Sequence, residues 1–335
     1  MVAAVAYAND YLGGINGHVI QVKQCSTQDT PAGSTACANQ MIQAHVSAAI
    51  QASGDDTTIK ALNKAGILDF MNVGASPVAL GTPTAYSMAN PLAVYGSPAA
   101  YAQQIGAKNA ALLVIDVPGA SGPASTLGPL FFKNAGVGLK VVIIPEGTAD
   151  MTPQVQTTLS ASPKLYYVLG DPTFCTSAIK AIKTLAPTAQ ISMYYTCISP
   201  NPTGIPGGYA GIKTVATQVL QPGDAENQLF QAIQAKYNGS TAAIATSGYA
   251  PMLGLIRALN AAKLTDTSAA GVLAALKAAP AVPLPLGGGA MFQCTGKAVS
   301  LSPFICSAAG TIADTAANGT LSNFKAIGSA AIYAK

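Results

Sequence analysis

The residue types that most enzymes use for catalysis are scarce in this sequence and do not form the usual motifs. The 335 residues include two histidines, His18 and His45, and thirteen acidic residues. There is no GxSxG nucleophile motif, no GxxxxGK[ST] phosphate loop, and no GxGxxG motif after a predicted strand. The closest carboxylates, Asp55 and Asp56, stand at the start of a predicted helix, where such residues cap the helix and complement its dipole. The sequence predicts no catalytic residue, and an enzyme with an unrecognised site is kept as an alternative.

Metal, cofactor and nucleic-acid binding are not indicated either. The two histidines are isolated, and no two cysteines have the CxxC spacing that is typical of zinc sites. The net charge of +4 is spread thinly, without the cluster of Lys and Arg that a nucleic-acid surface requires. No apolar run reaches the ~18 residues of a membrane span. We therefore predict no metal, no cofactor and no nucleic-acid partner.

The six cysteines fall into three local pairs: Cys25 with Cys37, Cys175 with Cys197, and Cys294 with Cys306. The middle pair belongs to a predicted helix start and to the end of the next strand, which meet at one edge of a parallel sheet. The last pair could face each other across a two-stranded ribbon. An even count with this pairing indicates disulfides and an exported protein, although fifteen connectivities are formally possible. The alternative is a set of six buried free thiols in a cytosolic protein.

Apolar strands alternate with helical segments, which predicts an α/β protein. Runs such as "AALLVID" and "VVIIP" are strand-sized and typical of buried parallel strands. Connections between parallel strands are right-handed, so we expect doubly wound sheets with helices on both faces, and the length favours two domains. The predicted strands are 18–24, 46–51, 68–73, 110–116, 140–145, 164–169 and 190–195. The predicted helices are 37–44, 56–65, 98–107, 124–135, 153–161, 173–186, 224–237, 249–263 and 266–279. Short β pieces are predicted in "GGAMFQC", "GKAVSLSPFIC" and "TLSNFKAI".

Small polar residues follow several of these strands, at the sheet edge where open α/β folds bind ligands. Ser53 and Gly54 follow one strand, and Gly74, Ala75 and Ser76 follow the next. Equivalent loops contain "VPGASGP" at 117–123, "LGDPTF" at 169–174 and "YYTC" at 194–197. Free amides and hydroxyls before a helix suit a carboxylate or another anion. The alternative is that these are ordinary βα turns, which favour the same residues.

The run "AVAYANDYLGGINGHVIQV" resembles an early segment of type I periplasmic binding proteins, especially the leucine/isoleucine/valine-binding receptors of ABC importers. Weaker similarity continues through "SAAIQASGDDTTIKALNKAGI", "KLYYVLGDPTFCTSAIKAIKTL" and "SGYAPMLGLIRALNAA". The resemblance implies a non-enzymatic, monomeric receptor with two doubly wound lobes joined by a hinge. Such a receptor is extracytoplasmic, periplasmic or on the cell surface, with or without a lipid anchor. It delivers a small organic ligand, an amino acid or another small carboxylate, to permease subunits. A ligand-sensing domain of the same fold is the alternative.

The resemblance also implies how the chain is divided. One lobe would comprise 1–92 and 219–306, the other 93–218 and 307–335, with the ligand cleft between them. In relatives, a strand and a loop that contacts the ligand precede the helix that ends in "YANDYLGG". About the first thirty residues of the mature fold are therefore expected to be missing here, together with any signal peptide or anchor cysteine.

The family's ligand contacts can be transferred to matching positions. Ser53 and the 74–76 loop correspond to groups that hold an amino acid's carboxylate. Ser121 stands where branched-chain receptors often present a tyrosine, Asp171 replaces an aromatic contact, and Tyr195 or Thr196 replaces an acid that pairs with the ammonium. The predicted ligand-binding residues are Ser53, Gly54, Gly74, Ala75, Ser76, Ser121, Asp171, Tyr195, Thr196 and Ser247.

Overall fold

The computed structural model describes residues 1–28, 30–199 and 202–334, and within them the side chains of all residues except Ser53, Pro118, Gly119 and Ala243. The α-helices of this part of the chain are α1 (Val2–Tyr11), α2 (Pro31–Gln43), α3 (Asp56–Lys64), α4 (Pro77–Gly81), α5 (Ala93–Gln104), α6 (Pro118–Asn134), α7 (Thr152–Gln156), α8 (Pro172–Leu185), α9 (Ala225–Lys236), α10 (Thr246–Ala261) and α11 (Ala269–Ala278). The strands are β1 (Ala48–Ser53), β2 (Leu68–Val73), β3 (Ala85–Ser87), β4 (Asn109–Ile115), β5 (Gly138–Ile144), β6 (Leu165–Leu169), β7 (Gln190–Tyr194), β8 (Lys213–Ala216), β9 (Val282–Pro283), β10 (Met291–Phe292), β11 (Gly310–Thr315) and β12 (Leu321–Ile327).

The chain divides into two compact units. The first unit comprises Met1–Pro91 and Pro222–Ala308, and the second comprises Leu92–Gln221 and Ala309–Lys335. The chain therefore passes from one unit to the other three times.

The first unit is built on a three-stranded parallel sheet in the order β1-β2-β3. On one face of β2, Met71 packs with residues of α3 and α4. On the other face, the Phe70 ring lies 6.2 Å from that of Phe292, beside α10. Successive strand residues point to opposite faces, so covering both faces explains why β2 is buried along almost its whole length.

The second unit is built on a seven-stranded mixed sheet in the order β12-β11-β8-β7-β6-β4-β5. The strands from β8 to β5 are parallel, whereas β11 and β12 add an antiparallel edge. Leu113 packs with residues of α7 and α8 in one core. Leu112 faces the opposite helix α6, since a Cβ added to Gly128 would lie 3.6 Å from its Cδ2. The alternation of a single strand thus supplies cores on both faces, and the predicted α/β class with doubly wound sheets is confirmed.

Several element predictions are wrong, and each has a physical reason. Residues 18–24 form no strand; the segment has one isolated bridge, from Ile15 to His18, and otherwise lacks a neighbouring strand. The "GKAVSLSPFIC" segment forms turns, with a single bridge from Ser87 to Ile305. Strands β3, β8, β9 and β11 were not predicted, because they are short or carry polar residues that a sheet neighbour satisfies. In β11, for example, Thr315 Oγ1 lies 2.7 Å from Thr214 Oγ1.

Candidate functional site

In the first unit, the loops after β1 and β2 contact each other at the carboxyl edge of the sheet. The two strands end in register, with Ser53 beside Val73. A Cβ added to Gly54 would lie 3.6 Å from Gly74 Cα and 3.0 Å from the Met71 sulfur, and one added to Gly74 would lie 2.3 Å from that sulfur. A side chain at Gly74 would displace the Met71 sulfur, whereas one at Gly54 would meet only tight to ordinary contacts, so packing favours glycine most strongly at Gly74. The Ser53 side chain lies outside the described residues.

The polar groups of the 74–76 loop already have partners within the protein. The Gly74 N–H donates to Ser87 Oγ at 2.8 Å. Ser76 Oγ accepts from the Ala79 N–H at 3.0 Å, as the N-cap of α4, and donates to the Asp56 carboxylate. A ligand carboxylate would have to compete with these bonds. The polar groups of this loop are therefore mostly explained by the alternative interpretation, an ordinary βα turn that caps the following helix.

Two further features limit an anion site at this edge. Asp55 caps α3, since its Oδ1 accepts from the Thr58 N–H at 2.8 Å, and Asp56 lies in the first turn. These carboxylates already complement the positive end of the α3 dipole. Ala75 is exposed, and it offers a ligand only backbone groups.

Sequence reasoning missed Asp69, a fully buried carboxyl on β2. Burial raises its pKa to about 7, and the nearby Asp55 charge acts in the same direction, whereas a hydrogen bond from Gln51 Nε2 opposes the shift. Within the described part of the chain, Asp69 Oδ1 has no hydrogen-bond partner. Gln51 also accepts the Asp55 N–H at 3.1 Å and so links the buried acid to the start of α3. No motif marks Asp69, because it is a single carboxyl within the buried strand β2.

In the second unit, the loops after β6 and β7 meet at the carboxyl edge. Asp171 is the N-cap of α8: its Oδ1 accepts from the Thr173 N–H at 2.8 Å and the Phe174 N–H at 2.9 Å. Thr196 Oγ1 donates to the Gly170 carbonyl at 2.7 Å. The structure therefore brings Asp171, Tyr195 and Thr196 to one edge, as two adjacent loops.

Four tyrosines, Tyr95, Tyr167, Tyr194 and Tyr195, interact at or beneath this edge; we call them the tyrosine cluster. The Tyr194 and Tyr195 rings lie 4.7 Å apart, and Tyr195 is 43% exposed. Burial raises the pKa of Tyr95 to about 12, and burial together with Tyr195 and Tyr95 raises that of Tyr194 further. The Tyr95 and Tyr194 phenols therefore stay neutral at physiological pH, and the cluster offers aromatic surface and hydroxyl groups. The "YYTC" run was the only sequence signal for it.

The remaining predicted residues, Ser121 and Ser247, use their hydroxyls within their own helical turns. Ser121 Oγ donates to the Val117 carbonyl at 3.1 Å, in the first turn of α6, and Tyr95 donates to the Ala120 carbonyl at 2.9 Å. Ser247 Oγ donates to the Ile244 carbonyl at 2.6 Å. Ser121 lies at the same edge as the tyrosine cluster, whereas Ser247 belongs to the first unit.

All three predicted disulfides are confirmed. Bonds join Cys25 to Cys37, Cys175 to Cys197 and Cys294 to Cys306, and no cysteine is free. The second bond fastens the first turn of α8 to the turn that follows β7, at the edge that holds the tyrosine cluster. It therefore helps to fix the relative position of the two loops described above.

Among the described residues, no group of three or more His, Cys, Asp and Glu side chains is arranged to hold a metal ion. No helix in the same ranges is long and apolar enough to cross a membrane.

A family model described as "Periplasmic binding protein" matches residues 1–305. No curated protein matches this chain. Solved structures with a similar fold include a putative branched-chain amino acid ABC transporter protein from Rhodospirillum rubrum (TM-score 0.76, 15% identity, 97% of this chain and 93% of that one). They also include a substrate-binding protein from Desulfitobacterium hafniense in complex with Leu (TM-score 0.70, 15% identity, 97% and 93%). A fatty acid ABC transporter substrate-binding protein from Thermomonospora curvata is similar too (TM-score 0.65, 14% identity, 99% and 87%).

Proposed function

This chain belongs to the periplasmic binding protein family, and from that premise we propose that it is an extracytoplasmic receptor that delivers a small organic ligand to an ABC importer. The observation that carries the proposal is the family match over residues 1–305 together with two α/β units, each with two neighbouring loops in contact at the carboxyl edge of its sheet. The three disulfides support an oxidising compartment outside the cytoplasm.

We propose an amino acid or another small carboxylate as the ligand. The tyrosine cluster supports an apolar or amine-bearing ligand, because neutral aromatic faces bind apolar groups and attract ammonium groups. Asp171 has a second carboxylate oxygen beside its capping oxygen and is suited to pair with an ammonium group. In the first unit, the loops that contain Gly54 and Ala75 would contribute backbone groups to the ligand's carboxylate. The ligand would contact both units.

The proposal includes partners. Permease subunits of an importer would receive the ligand, the receptor would act as a monomer, and no catalytic step is involved. A ligand-sensing domain acting on a regulatory protein is the alternative. Permease and ATPase genes beside the gene for this chain would favour transport, whereas a neighbouring gene for a regulator would favour sensing.

The direct test is a ligand panel measured by thermal unfolding and calorimetry. The panel contains L-leucine, L-isoleucine, other L-amino acids, short aliphatic carboxylates and a sixteen-carbon fatty acid. A ligand at a hundred times its Kd stabilises a protein by about 2.7 kcal/mol, which raises the Tm measurably. We expect an amino acid or a short carboxylate to give that increase.

Matched tyrosine variants locate the site. Tyr195→Ala should weaken binding at least fivefold, whereas Tyr11→Ala, which changes a similarly exposed tyrosine on α1 of the first unit, should leave affinity unchanged. The proposal fails if no member of the panel binds, or if the two variants lose affinity equally.

A further inference from the structure

The acidic residues of the second unit are concentrated at one edge of its sheet. The unit has nine lysines and five acidic residues, so its net charge is positive. Four of the five acids nevertheless follow β4, β5 and β6, at the carboxyl edge that holds the tyrosine cluster: Asp116, Glu146, Asp150 and Asp171. The fifth, Asp314, pairs with Lys213. The carboxyl edge thus carries negative charge in a unit that is basic as a whole.

Three of these acids follow neighbouring strands, and we call them the acidic row: Glu146 after β5, Asp116 after β4 and Asp171 after β6. The strands stay paired up to this edge. Val114 pairs with Leu169 of β6, and the Asp116 N–H donates to the Ile144 carbonyl of β5 at 2.9 Å. Neighbouring strands lie about 4.8 Å apart, so the acids start one or two strand spacings from each other. Like charges at such separations repel one another.

The lysines of the second unit do not offset the acidic row. Along the chain, the first bases after β4, β5 and β6 are Lys133, Lys164 and Lys180. Lys133 lies in the last turn of α6 and Lys164 directly before β6, so both belong to the opposite edge. The seven residues of β4 separate the two edges by about 23 Å, well beyond the ~8 Å Debye length at physiological salt. The Lys180 charge acts on Asp150, which is not part of the row.

Helix capping does not account for the acidic row. Asp171 is a cap, but Asp116 precedes Val117, the N-cap residue of α6, which makes no side-chain cap bond. Glu146 stands well before the start of α7 at Thr152. Both carboxylates are exposed, and the described ranges give neither of them a hydrogen bond or an ion pair. The N-terminus of a helix supplies only about half a positive charge, so the edge stays negative.

The tyrosine cluster at the same edge contains an unused hydroxyl. Tyr167 is fully buried, and its hydroxyl has no hydrogen-bond partner among the residues that the structure describes. It interacts electrostatically with Tyr95 and Tyr194, and the Tyr95 hydroxyl is bonded to the Ala120 carbonyl in the first turn of α6. A buried hydroxyl without a partner is rare, so this one supports a polar ligand group at the edge. The Tyr195 ring, which is partly exposed, adds an aromatic face that attracts cations.

We propose that the ligand carries two positively charged nitrogen groups, as a basic amino acid or a short diamine does, and that the acidic row binds them. This inference rests on the proposed function and narrows its ligand class. Two cationic groups neutralise neighbouring carboxylates that otherwise repel one another, whereas a neutral side chain leaves that repulsion in place. A ligand with only a carboxylate is repelled by the row. A negative edge also raises the local concentration of cations and so speeds their association.

The first test compares L-lysine with Nε-acetyl-L-lysine on the 335-residue chain. The two compounds share the α-amino group, the α-carboxylate and the carbon chain, but acetylation removes the second positive charge. In calorimetry, L-lysine should bind at least tenfold more tightly than its acetylated form, and more tightly than L-leucine. Its Kd should also rise at least threefold between about 0.02 M and about 0.3 M NaCl, because salt screens exposed charges.

Charge variants locate the contact. Asp116→Asn and Glu146→Gln each remove one charge of the acidic row without removing a helix cap, and each should weaken L-lysine binding at least fivefold. Asp116→Glu keeps the charge and should retain most of the affinity. The matched control is Asp266→Asn, which removes an exposed acid of the first unit and should leave the affinity for L-lysine unchanged. The Tm of each ligand-free variant checks that it folds.

The failure of this inference can be distinguished from the failure of the receptor function. If L-leucine or a short carboxylate binds at least as tightly as L-lysine, the chain is a receptor and the inference is wrong. Unchanged affinity for L-lysine in both Asp116→Asn and Glu146→Gln also overturns it. If neither L-lysine nor any member of the ligand panel binds, the proposed function and the inference fail together.

Discussion

Asp171 holds the first turn of α8 through one carboxylate oxygen, Oδ1, which accepts both the Thr173 and Phe174 N–H groups. Asparagine caps a helix about as well as aspartate, whereas alanine does not. We expect Asp171→Ala to lower the free energy of unfolding by about 0.5–2 kcal/mol and Asp171→Asn to lower it far less. Chemical denaturation of the ligand-free protein measures both.

The same pair of variants tests the ligand contact. Asp171→Asn removes the negative charge while it keeps the cap, so affinity for an amine-bearing ligand should fall by about five- to a hundredfold. Unchanged affinity by calorimetry would show that Asp171 acts on the fold alone.

Asp69 makes stability depend on pH. The pKa of Asp69 is raised from 3.8 to about 7 in the folded protein, so the folded state holds this proton more tightly than the unfolded chain. The contribution is therefore fully present at low pH and is lost as the pH rises through about 7. Asp69→Asn should flatten this dependence of stability on pH. It should also stabilise the protein at pH values above about 7, where the buried Asp69 is charged. Urea denaturation across the range measures it, with Asp116→Asn, an exposed aspartate after β4, as control. A slope that persists in Asp69→Asn would assign the effect to another group.

At the scale of elements, Ser76 fastens α4 to α3. Its hydroxyl caps α4 and donates to Asp56 in the first turn of α3. Ser76→Ala should lower the free energy of unfolding of the ligand-free protein by about 1 kcal/mol. Ser247→Ala, which removes a hydroxyl bonded within its own turn, should cost less. Equal losses of unfolding free energy in the two variants would mean that the hydrogen bond from Ser76 to Asp56 contributes no stability.

The disulfide from Cys175 to Cys197 joins α8 to the turn after β7. Protein made in an oxidising compartment should show no titratable thiol after denaturation. Replacing both cysteines by serine should lower stability by about 2–4 kcal/mol in the chain-entropy picture. Six free thiols in the denatured protein would contradict both the pairing and the inference of export.

Sequence reasoning succeeded for elements that local pattern determines. The strand predicted at 110–116 matches β4, because an apolar run bounded by turn residues identifies a strand buried on both faces. It failed at 18–24, since alternation alone does not make a strand without a neighbouring strand.

At the candidate site, the sequence pattern located the loops but did not show how their polar groups are used: Ser76 and Asp171 serve as helix caps. The tyrosine cluster depends on Tyr95 of α5 lying near enough to Tyr167 of β6 and Tyr194 of β7 to interact electrostatically with them, which no local pattern reveals.

At the scale of the whole molecule, the two units have separate sheets and the chain passes between them three times. Each unit consists of two segments that are far apart in the sequence, so the first unit is completed only after the long segment of the second, and the second only after the whole of the first. This arrangement follows from the order of elements, because β11 and β12 complete the second sheet only after α9, α10 and α11 have been added to the first unit.

The proposed function makes a prediction at this scale. A ligand that contacts both units is bound more tightly when both contacts form together, so it shifts the population towards closed molecules. Small-angle scattering of the protein with a saturating ligand from the panel should give a smaller radius of gyration than the ligand-free protein. Tyr195→Ala at the same ligand concentration should give less compaction, whereas Tyr11→Ala should behave as the wild type. If calorimetry shows full occupancy and the radius of gyration stays the same, the ligand is held by one unit, and the two-unit mode of binding is wrong even though the protein is a receptor.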